Sequence, residues 1–202
     1  MAQTQPSFGI RAGVVNSAMR GDALQSFQDL LTYTGGAVTS NNKTGFYAGG
    51  FVSIPVSQNF SIEPGINYTQ KGYELKGSLG IKGTDIIGGK SQLNLTYIEL
   101  PVLAKANFSG LQLFAGPQVG YLANANLHTT AGAFGFNFIN DKRDVKDQFN
   151  SVDVSLTGGV GYQFSNGFSI NAAYDHGLSK VNSGKSLQAY NQAVKVGVGF
   201  RF

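Results

Sequence analysis

The sequence predicts an all-β fold, an eight-stranded antiparallel up-and-down transmembrane β-barrel that occupies residues 1–202 as one domain. Three observations lead to this prediction. Eight segments alternate between apolar and polar residues, their connections are alternately short and long, and aromatic residues cluster near the segment ends. The composition agrees, because 28 glycines and only 13% charged residues disfavour a helical chain. The 15 phenylalanines and 9 tyrosines likewise disfavour a disordered one.

The first four predicted strands carry apolar side chains at every second position, as expected for a strand with different surroundings on its two faces. No charged residue interrupts these apolar faces. The positions between them are small or polar, with Tyr47, Phe51 and Leu103 as exceptions that we assign to packing inside the barrel. In chain order the apolar faces are Phe8, Ile10, Ala12, Val14; Phe46, Ala48, Val52, Ile54; Phe60, Ile62, Ile66, Tyr68; and Ile98, Leu100, Val102, Ala104, Ala106, Phe108.

The last four predicted strands repeat the plan, with Phe114 as the apolar exception on the inner face. Their apolar faces are Leu111, Leu113, Ala115, Val119, Tyr121; Val152, Val154, Leu156, Val160, Tyr162, Phe164; Phe168, Ile170, Ala172, Tyr174; and Val194, Val196, Val198, Phe200, Phe202. In the last strand, Val196, Val198, Phe200 and Phe202 resemble the C-terminal signal by which the outer-membrane assembly machinery recognises its substrates. We therefore expect that machinery to be a partner during insertion.

Connection lengths predict the topology. Short turns at 55–59, 109–110 and 165–167 follow the even-numbered strands, and long loops at about 17–42, 75–90, 126–150 and 177–189 follow the odd-numbered ones. This arrangement is typical of outer-membrane barrels and places both chain ends on the periplasmic side. Pro64 and Pro117 cannot donate to a β-ladder and should mark bulges or local gaps.

Aromatic residues predict two girdles at the membrane interfaces. One set flanks the short turns or the chain ends, namely Phe8, Phe60, Phe108, Phe164, Phe168 and Phe202. The other set lies toward the long loops, namely Tyr68, Tyr97, Tyr121 and Tyr174. No apolar run approaches the roughly 18 residues that a membrane-spanning helix needs.

The charged residues sort into an enclosed interior and the loops. The predicted interior contains four cations, Arg11, Lys105, Lys195 and Arg201, and four anions, Glu63, Glu99, Asp153 and Asp175. Such an interior requires pairing because an isolated buried charge is costly, and Glu63 and Lys105 are placed to pair directly. We assign all remaining charges to the long loops or their rims. The net charge of +4 then faces outward, where lipopolysaccharide phosphates are one partner and plain solvation is the alternative.

The first residues lack the charged and apolar regions of a signal peptide, so we interpret Met1 as an initiator added to a chain whose signal peptide was removed before Ala2. The chain has no cysteine, which excludes disulfides and thiolate metal sites.

Several stretches resemble the PorT-like outer-membrane β-barrel family of Bacteroidota over nearly the whole chain. They are Gly9-Ile10-Arg11-Ala12-Gly13, Gln70-Lys71-Gly72, residues 97–105, residues 115–121 and the terminal strand. The Tyr-Ile-Glu-Leu-Pro sequence at 97–101 is the most specific of these stretches. The resemblance implies a small outer-membrane barrel without a shared activity or catalytic motif.

Two groups of polar residues have a spacing that could support chemistry, although each can also be simply solvated. Asp175, His176 and Ser179 form a conceivable acid, base and nucleophile set, but neighbours in a strand point to opposite faces. Asp141, Asp144 and Asp147 have a spacing that suggests calcium, but three cations lie between them and no EF-hand pattern follows. We therefore expect no catalytic residues, metal or cofactor.

Two loops are candidates for contact with a protein partner. Leu24, Phe27 and Leu31 would share one face of a short helix, whereas Phe134, Phe136 and Phe138 alternate beyond the membrane band. The second set can instead extend the hairpin and pack over the barrel mouth.

The sequence thus predicts a non-enzymatic barrel of the Gram-negative outer membrane, acting through its extracellular loops as an envelope-structural, adhesion or complex-subunit protein, with no nucleic-acid partner. The alternatives are a soluble lipocalin-like ligand-binding barrel and an outer-membrane lipid-modifying enzyme.

Overall fold

The computed structural model describes residues 5–21, 37–81, 84–133, 136–181 and 189–202. No helix in these ranges is long and apolar enough to cross a membrane. A short 3-10 helix lies at Lys146–Gln148. The strands in the described ranges are β1 (Ser7–Arg20), β2 (Ala37–Pro55), β3 (Phe60–Ile81), β4 (Thr84–Phe108), β5 (Leu111–Ala133), β6 (Phe136–Asp144), β7 (Val152–Gln163), β8 (Phe168–Gly177) and β9 (Tyr190–Arg201).

Eight of these strands close into a ring. All neighbours are antiparallel, in the order β1-β2-β3-β4-β5-β7-β8-β9, and β9 pairs back with β1. The remaining strand, β6, pairs only with the second half of β5, from Asn126 to Ala133. The predicted eight-stranded antiparallel barrel is confirmed, with β6 as an additional strand outside the ring.

The alternation of side chains continues around the whole ring. Ile10 lies opposite Phe200 on one side and Gly50 on the other, so residues of one parity form one continuous face. The large apolar residues of that face are exposed on the outer wall, while the opposite face fills the interior. The predicted parity, with even-numbered residues outward except in β5, is confirmed over the apolar band.

One rim of the barrel is formed by the three short connections, at 56–59, 109–110 and 164–167, and we call it the short-turn rim. β1 begins and β9 ends at this rim. Ser109 and Gly110 have φ of 51° and 95°, the left-handed conformation that a two-residue hairpin turn requires. We call the opposite end the hairpin rim.

The strands at the hairpin rim are longer than the sequence predicts. β3 continues to Ile81 and β4 begins at Thr84, so the predicted loop at 75–90 is a β-hairpin. The predicted loop at 126–150 likewise contains the end of β5 and the whole of β6. These two loop assignments are wrong, because backbone pairing continues where the apolar pattern that marked the strands has ended.

Pro64 and Pro117 both lie at gaps in the ladders, as predicted. Regular pairing between β3 and β4 stops at Pro64 and resumes at Asn67. Between β4 and β5 it is interrupted around Pro117.

A bulge at Ala123 of β5 has a different effect, because the extra residue reverses the inward and outward parity of the residues that follow it in β5.

Candidate functional site: the barrel interior and its hairpin rim

The polarity of the wall inverts along β4. On the short-turn side of Ile98, the outward residues are apolar, such as Leu100 and Val102, and inward Glu99 is charged. On the other side, inward Tyr97 and Leu95 are apolar and buried. The outward positions there are polar, namely Thr96, Asn94, Gln92 and Lys90. The inversion marks the level where the wall leaves lipid, and we call this level the boundary rung.

The interior near the short-turn rim holds one carboxylate between two cations. Glu63 lies 3.1 Å from Arg11 and 2.6 Å from Lys105, measured between the charged atoms. Arg11 also donates to Asn67 at 2.9 Å. The ring of Phe51 lies 5.4 Å from the Arg11 guanidinium and 5.6 Å from the Lys105 ammonium. The pairing of Glu63 with Lys105 that the sequence suggested is present in the structure.

Four charges form a second group nearer the hairpin rim, which we call the central quartet. Glu99 contacts Lys71 at 2.6 Å and Lys195 at 2.7 Å. Asp175 contacts Lys195 at 2.7 Å and Lys71 at 3.6 Å. Hydroxyl donors complete the group, from Thr69 to Glu99 at 2.7 Å and from Thr157 to Asp175 at 2.8 Å. The four charged side chains are almost fully buried, so each depends on the others for stabilisation.

Lys71 corrects the predicted charge assignment. The sequence placed it with the loop residues, but its side chain is only 2% exposed and points into the barrel. The reason is the length of β3, which continues past the apolar band and keeps odd-numbered residues facing inward. Lys71 takes the place in the charge balance that was predicted for Arg201.

Asp153 and Arg201 lie at opposite ends of the interior. Asp153 is buried and accepts hydrogen bonds from Ser179 and Asn191, each at 2.9 Å. No cation of the described ranges forms an ion pair with it. Arg201 lines the mouth at the short-turn rim, and it too forms no ion pair with a described residue. Of the eight predicted interior charges, six therefore pair with one another, in the two groups described above.

An apolar cluster closes the barrel on the hairpin side of the quartet, and we call it the apolar plug. Its buried members come from five chain segments and are Tyr73, Leu93, Leu95, Tyr97, Leu122, Ala125, Val145 and Val181. The prediction that Tyr97 belongs to the outer girdle is wrong. Tyr97 is 1% exposed and accepts a hydrogen bond from Asn191 at 3.3 Å. The parity of Leu93, Leu95 and Tyr97, opposite to that of the apolar band, was the available sequence signal.

The interior leaves little free space. The cavity around Arg11, Tyr47 and Lys195 has a volume of about 50 Å³, whereas a water molecule takes up about 30 Å³ of the liquid. A wider polar vestibule of about 330 Å³ opens at the short-turn rim and includes Glu63 and Lys105 in its lining. The vestibule ends at the first ion-paired group, and the apolar plug lies at the other end of the barrel.

The conceivable catalytic set is not assembled. Asp175 points inward into the central quartet, whereas His176 points outward, where its Nε2 atom lies 2.8 Å from Arg20. Ser179 instead donates to Asp153. The nucleophile and the base therefore have different partners on different faces of the wall.

Two of the aspartates with calcium-like spacing have other partners in the structure. Asp141 pairs with Arg143, and Asp144 accepts a hydrogen bond from the backbone of Lys146 at 2.9 Å. Within the described ranges, no three His, Cys, Asp or Glu side chains are grouped so that they could hold a metal ion.

The loop residues proposed for partner contact are placed only in part. Leu24, Phe27, Leu31 and Phe134 lie outside the described residues. The backbone positions of Phe136 and Phe138 belong to β6, so this segment extends a hairpin.

The terminal residues Val196, Val198, Phe200 and Phe202 all lie on the outer wall. The rings of Phe200 and Phe202 pack edge to face, with centroids 5.2 Å apart. Because β9 pairs with both β8 and β1, these residues belong to the strand that closes the ring.

An exposed apolar band, an enclosed charged interior and a closed strand ring define a membrane-spanning β-barrel. The chain belongs to the outer membrane protein β-barrel domain family, whose model matches residues 1–183. It is therefore a small protein of the outer membrane of Gram-negative bacteria. The sequence matches no protein of curated function.

Solved structures of small barrels resemble it. Neisserial surface protein A is 12% identical, with a TM-score of 0.51 over 98% of this chain and 99% of that chain. The attachment invasion locus protein Ail of Yersinia pestis is 16% identical, with a TM-score of 0.46 over the same shares. OprG from Pseudomonas aeruginosa is 13% identical, with a TM-score of 0.42 over 100% of this chain and 98% of that chain. The first of these similarities supports the fold, and the soluble lipocalin-like alternative is wrong because the apolar face points outward.

Proposed function

We propose that this protein is a non-enzymatic component of the outer membrane that acts through its hairpin rim, as an envelope-structural, adhesion or complex-subunit protein. The polarity inversion at the boundary rung carries the proposal. This inversion separates an apolar wall that faces lipid from a projecting sheet whose outward residues are polar. Within the described chain, that sheet is the surface best suited to contact a partner in the aqueous phase.

A transport function is disfavoured by the filled interior. Solutes that enter the vestibule meet Glu63 paired with Arg11 and Lys105, then the central quartet, then the apolar plug. Eight-stranded barrels enclose room for side chains and little else. Opening a path would require breaking buried ion pairs and exposing apolar residues to water, and both changes are costly.

The projecting sheet is large enough to be a binding surface. On β4 it runs from Thr96 back to Thr84, which is about 40 Å along the strand. β6 is at its edge, because it pairs with β5 and with no other described strand. Edge strands offer unpaired backbone groups to extended segments of other proteins. Exposed Lys142 and Arg143 add charge to this edge.

The same features support a proposed orientation. The hairpin rim is proposed to face the medium and both chain ends the periplasm, as in barrels with short turns on one side. Lipopolysaccharide and the assembly machinery are the proposed partners of the outer wall and the terminal strand. The stretches at 9–13, 70–72 and 97–105 support a finer placement among the PorT-like barrels of Bacteroidota.

A non-enzymatic role is supported by the separation of Asp175, His176 and Ser179 described above. A lipid A or phospholipid turnover assay comparing the wild type with His176→Ala tests it. We expect no turnover by either protein. Turnover by the wild type that His176→Ala abolishes would contradict the proposal.

The closed interior is tested by conductance. Purified protein is reconstituted into planar lipid bilayers, with a general diffusion porin as the positive control. We expect no stable channels from this protein. Long-lived, reproducible conductance steps would show that the ion pairs and the plug do not seal the barrel.

The orientation is tested by labelling. Since the chain has no cysteine, Lys142→Cys and Ser57→Cys each provide a single thiol, in β6 and in a short turn respectively. A membrane-impermeant maleimide should label only Lys142→Cys on intact cells, and both after the outer membrane is opened. Labelling of Ser57→Cys on intact cells would reverse the assignment.

The role of the sheet edge is tested by charge reversal. Cells carrying Lys142→Glu with Arg143→Glu are compared with the wild type and with Gln58→Glu, an exposed change at the short-turn rim. We expect cell adhesion, or copurification of an envelope complex, to fall only in the β6 variant. An equal result for all three proteins would exclude this edge.

A further inference from the structure

A polar cluster lies on the outer wall at the hairpin rim, where β1, β8 and β9 are neighbours. Arg20 Nη2 lies 2.8 Å from Nε2 of His176 and donates to the carbonyl of Gly177 at 2.8 Å. The guanidinium also stacks on the ring of Tyr190, 5.2 Å from its centroid. We call Arg20, His176 and Tyr190 the outer-wall cluster. None of these residues belongs to the ion-paired groups or to the apolar plug that fill the barrel interior.

The cluster lies at the depth of lipid headgroups. Val194 and Tyr174 are opposite each other and are the last residues of the apolar band on β9 and β8. Gln192 and His176 form the next outward pair, about 7 Å further along the strands. Arg20 belongs to the rung after that, opposite Tyr190.

Among the described residues, the cluster contains more hydrogen-bond donors than acceptors. A guanidinium only donates, so Nε2 of His176 accepts from Arg20, and the ring then carries its proton on Nδ1. Nε of Arg20 is buried and has no hydrogen-bond partner among the described residues. The Arg20 cation and the imidazole N–H of His176 lie side by side at the membrane interface. Together they can donate hydrogen bonds to an anion with several oxygens, such as a phosphate.

An apolar groove lies on the outer wall across β1, β9, β8, β7 and β5, and the rung of Tyr174 and Val194 separates it from the cluster. Its volume is about 680 Å³, and the small side chains of Ala12 and Ala172 make room between larger neighbours. The outward residues that line it are Ala12, Val14, Leu111, Val160, Tyr162, Ile170, Ala172, Val196 and Val198. We call it the wall groove.

The distance between the wall groove and the outer-wall cluster matches the length of a lipid in one leaflet. From Val198 in the groove to Gln192 beside the cluster is six residues, about 20 Å along β9. At a strand tilt of about 40°, this spans about 15 Å of depth, which is half of a hydrocarbon core about 30 Å thick. An acyl chain of one leaflet therefore fits between them.

We propose that the outer wall binds one molecule of lipid A, the phosphorylated glycolipid of the outer leaflet, with a phosphate at Arg20 and His176 and an acyl chain in the wall groove. The inference rests on the proposed orientation, because it places the hairpin rim at the outer leaflet. Binding at this position would hold lipid against the strand that closes the ring and would anchor the projecting sheet at a fixed height.

The test is lipid titration of refolded, lipid-free protein in mild detergent, read by native mass spectrometry. The ligands are lipid A, the same lipid without phosphates, and inorganic phosphate alone. Arg20→Gln and His176→Gln should each weaken lipid A binding about tenfold, since each removes a charge-assisted hydrogen bond. Ala172→Phe should fill the groove and weaken it similarly. The folding of each variant is verified by heat-modifiable migration on gels. Ala12→Phe, which fills the same groove from β1, serves as a second variant and should weaken lipid A binding in the same way.

The matched controls are Arg143→Gln, a cation at the hairpin rim outside the cluster, and Ala104→Phe, a lipid-facing alanine outside the groove. We expect both to bind lipid A as the wild type does. Equal losses in the controls, unchanged binding in Arg20→Gln, or equal binding of the dephosphorylated lipid would overturn the proposal. Binding of phosphate alone with the same affinity would show an adventitious ion only. Titration in detergent does not depend on the orientation of the protein in the membrane. A failure to bind lipid A can therefore be distinguished from a wrong orientation, which the maleimide labelling would reveal.

Discussion

Replacing Lys195 by methionine should remove the cation that joins the two carboxylates of the central quartet. Lys195 lies 2.7 Å from both Glu99 and Asp175. In the variant, Glu99 keeps Lys71 and the hydroxyl of Thr69. Asp175 keeps Lys71 only at 3.6 Å, together with its hydroxyl donor. The quartet then carries a net negative charge inside the wall.

The magnitude follows from burial. The side chains of Lys195, Glu99 and Asp175 are 6%, 1% and 2% exposed, so solvent does little to screen the unpaired charge. Removing one partner of a buried ion pair costs about 3–5 kcal/mol, whereas an exposed pair contributes at most about 1 kcal/mol. We therefore expect the free energy of unfolding to fall by about 3–5 kcal/mol.

A second variant separates charge from packing. Lys195→Met with Asp175→Asn removes one charge of each sign and leaves Lys71 paired with Glu99 at 2.6 Å. We expect the double variant to recover about half or more of the lost stability, because neutrality is restored. Arg143→Met is the matched control, since the pair of Arg143 with Asp141 is largely exposed.

Unfolding is followed by urea titration in detergent micelles. Because the chain has no tryptophan, the folded fraction is best measured from the migration of unheated protein on gels. The reasoning is refuted if Lys195→Met lies within about 0.5 kcal/mol of the wild type, the range of an ordinary surface substitution. It is refuted equally if the double variant is no more stable than the single one.

The same titration tests two further features. Gly159→Ala should destabilise the barrel by about 1–3 kcal/mol, because the added Cβ would overlap the carbonyl oxygen of Ala172. Gly158→Ala, whose nearest neighbour is 3.9 Å away, should stay near the wild type, and equal losses would exclude close packing as the cause. Leu122→Ala should cost about 2–5 kcal/mol as a fully buried member of the apolar plug. Leu100→Ala on the lipid face should cost less, and the reverse order would show that the plug is loosely packed.

The sequence indicates three of the four charges of the central quartet, but it does not indicate how these charges pair. Glu99, Asp175 and Lys195 were recognised because they lie in apolar strands, where a charge has to face inward. Their partners were not identified, because Glu99 and Lys195 are 96 residues apart and come together only when β9 closes the ring. Register and shear decide such contacts, and neither can be calculated from one strand alone.

Lys71 and Tyr97 show why the hairpin rim was predicted poorly. Both lie where the apolar band ends, so the pattern that located the strands gives no further information there. β3 nevertheless continues beyond Lys71, because a β-ladder needs backbone partners and not apolar side chains. A bulge at Ala123 then turns both Leu122 and Ala125 inward, which no local periodicity indicates.

The amino-acid sequence alone is sufficient to predict the strands that cross lipid, the short turns, the outward parity and the identity of most interior charges. It could do so because lipid on one side and an enclosed interior on the other impose a period of two on every strand. The folded barrel is needed to establish which charges pair, which segments form the apolar plug and where the outer-wall cluster lies. Those features depend on distances between residues far apart in the chain, and such distances are set by closure of the ring.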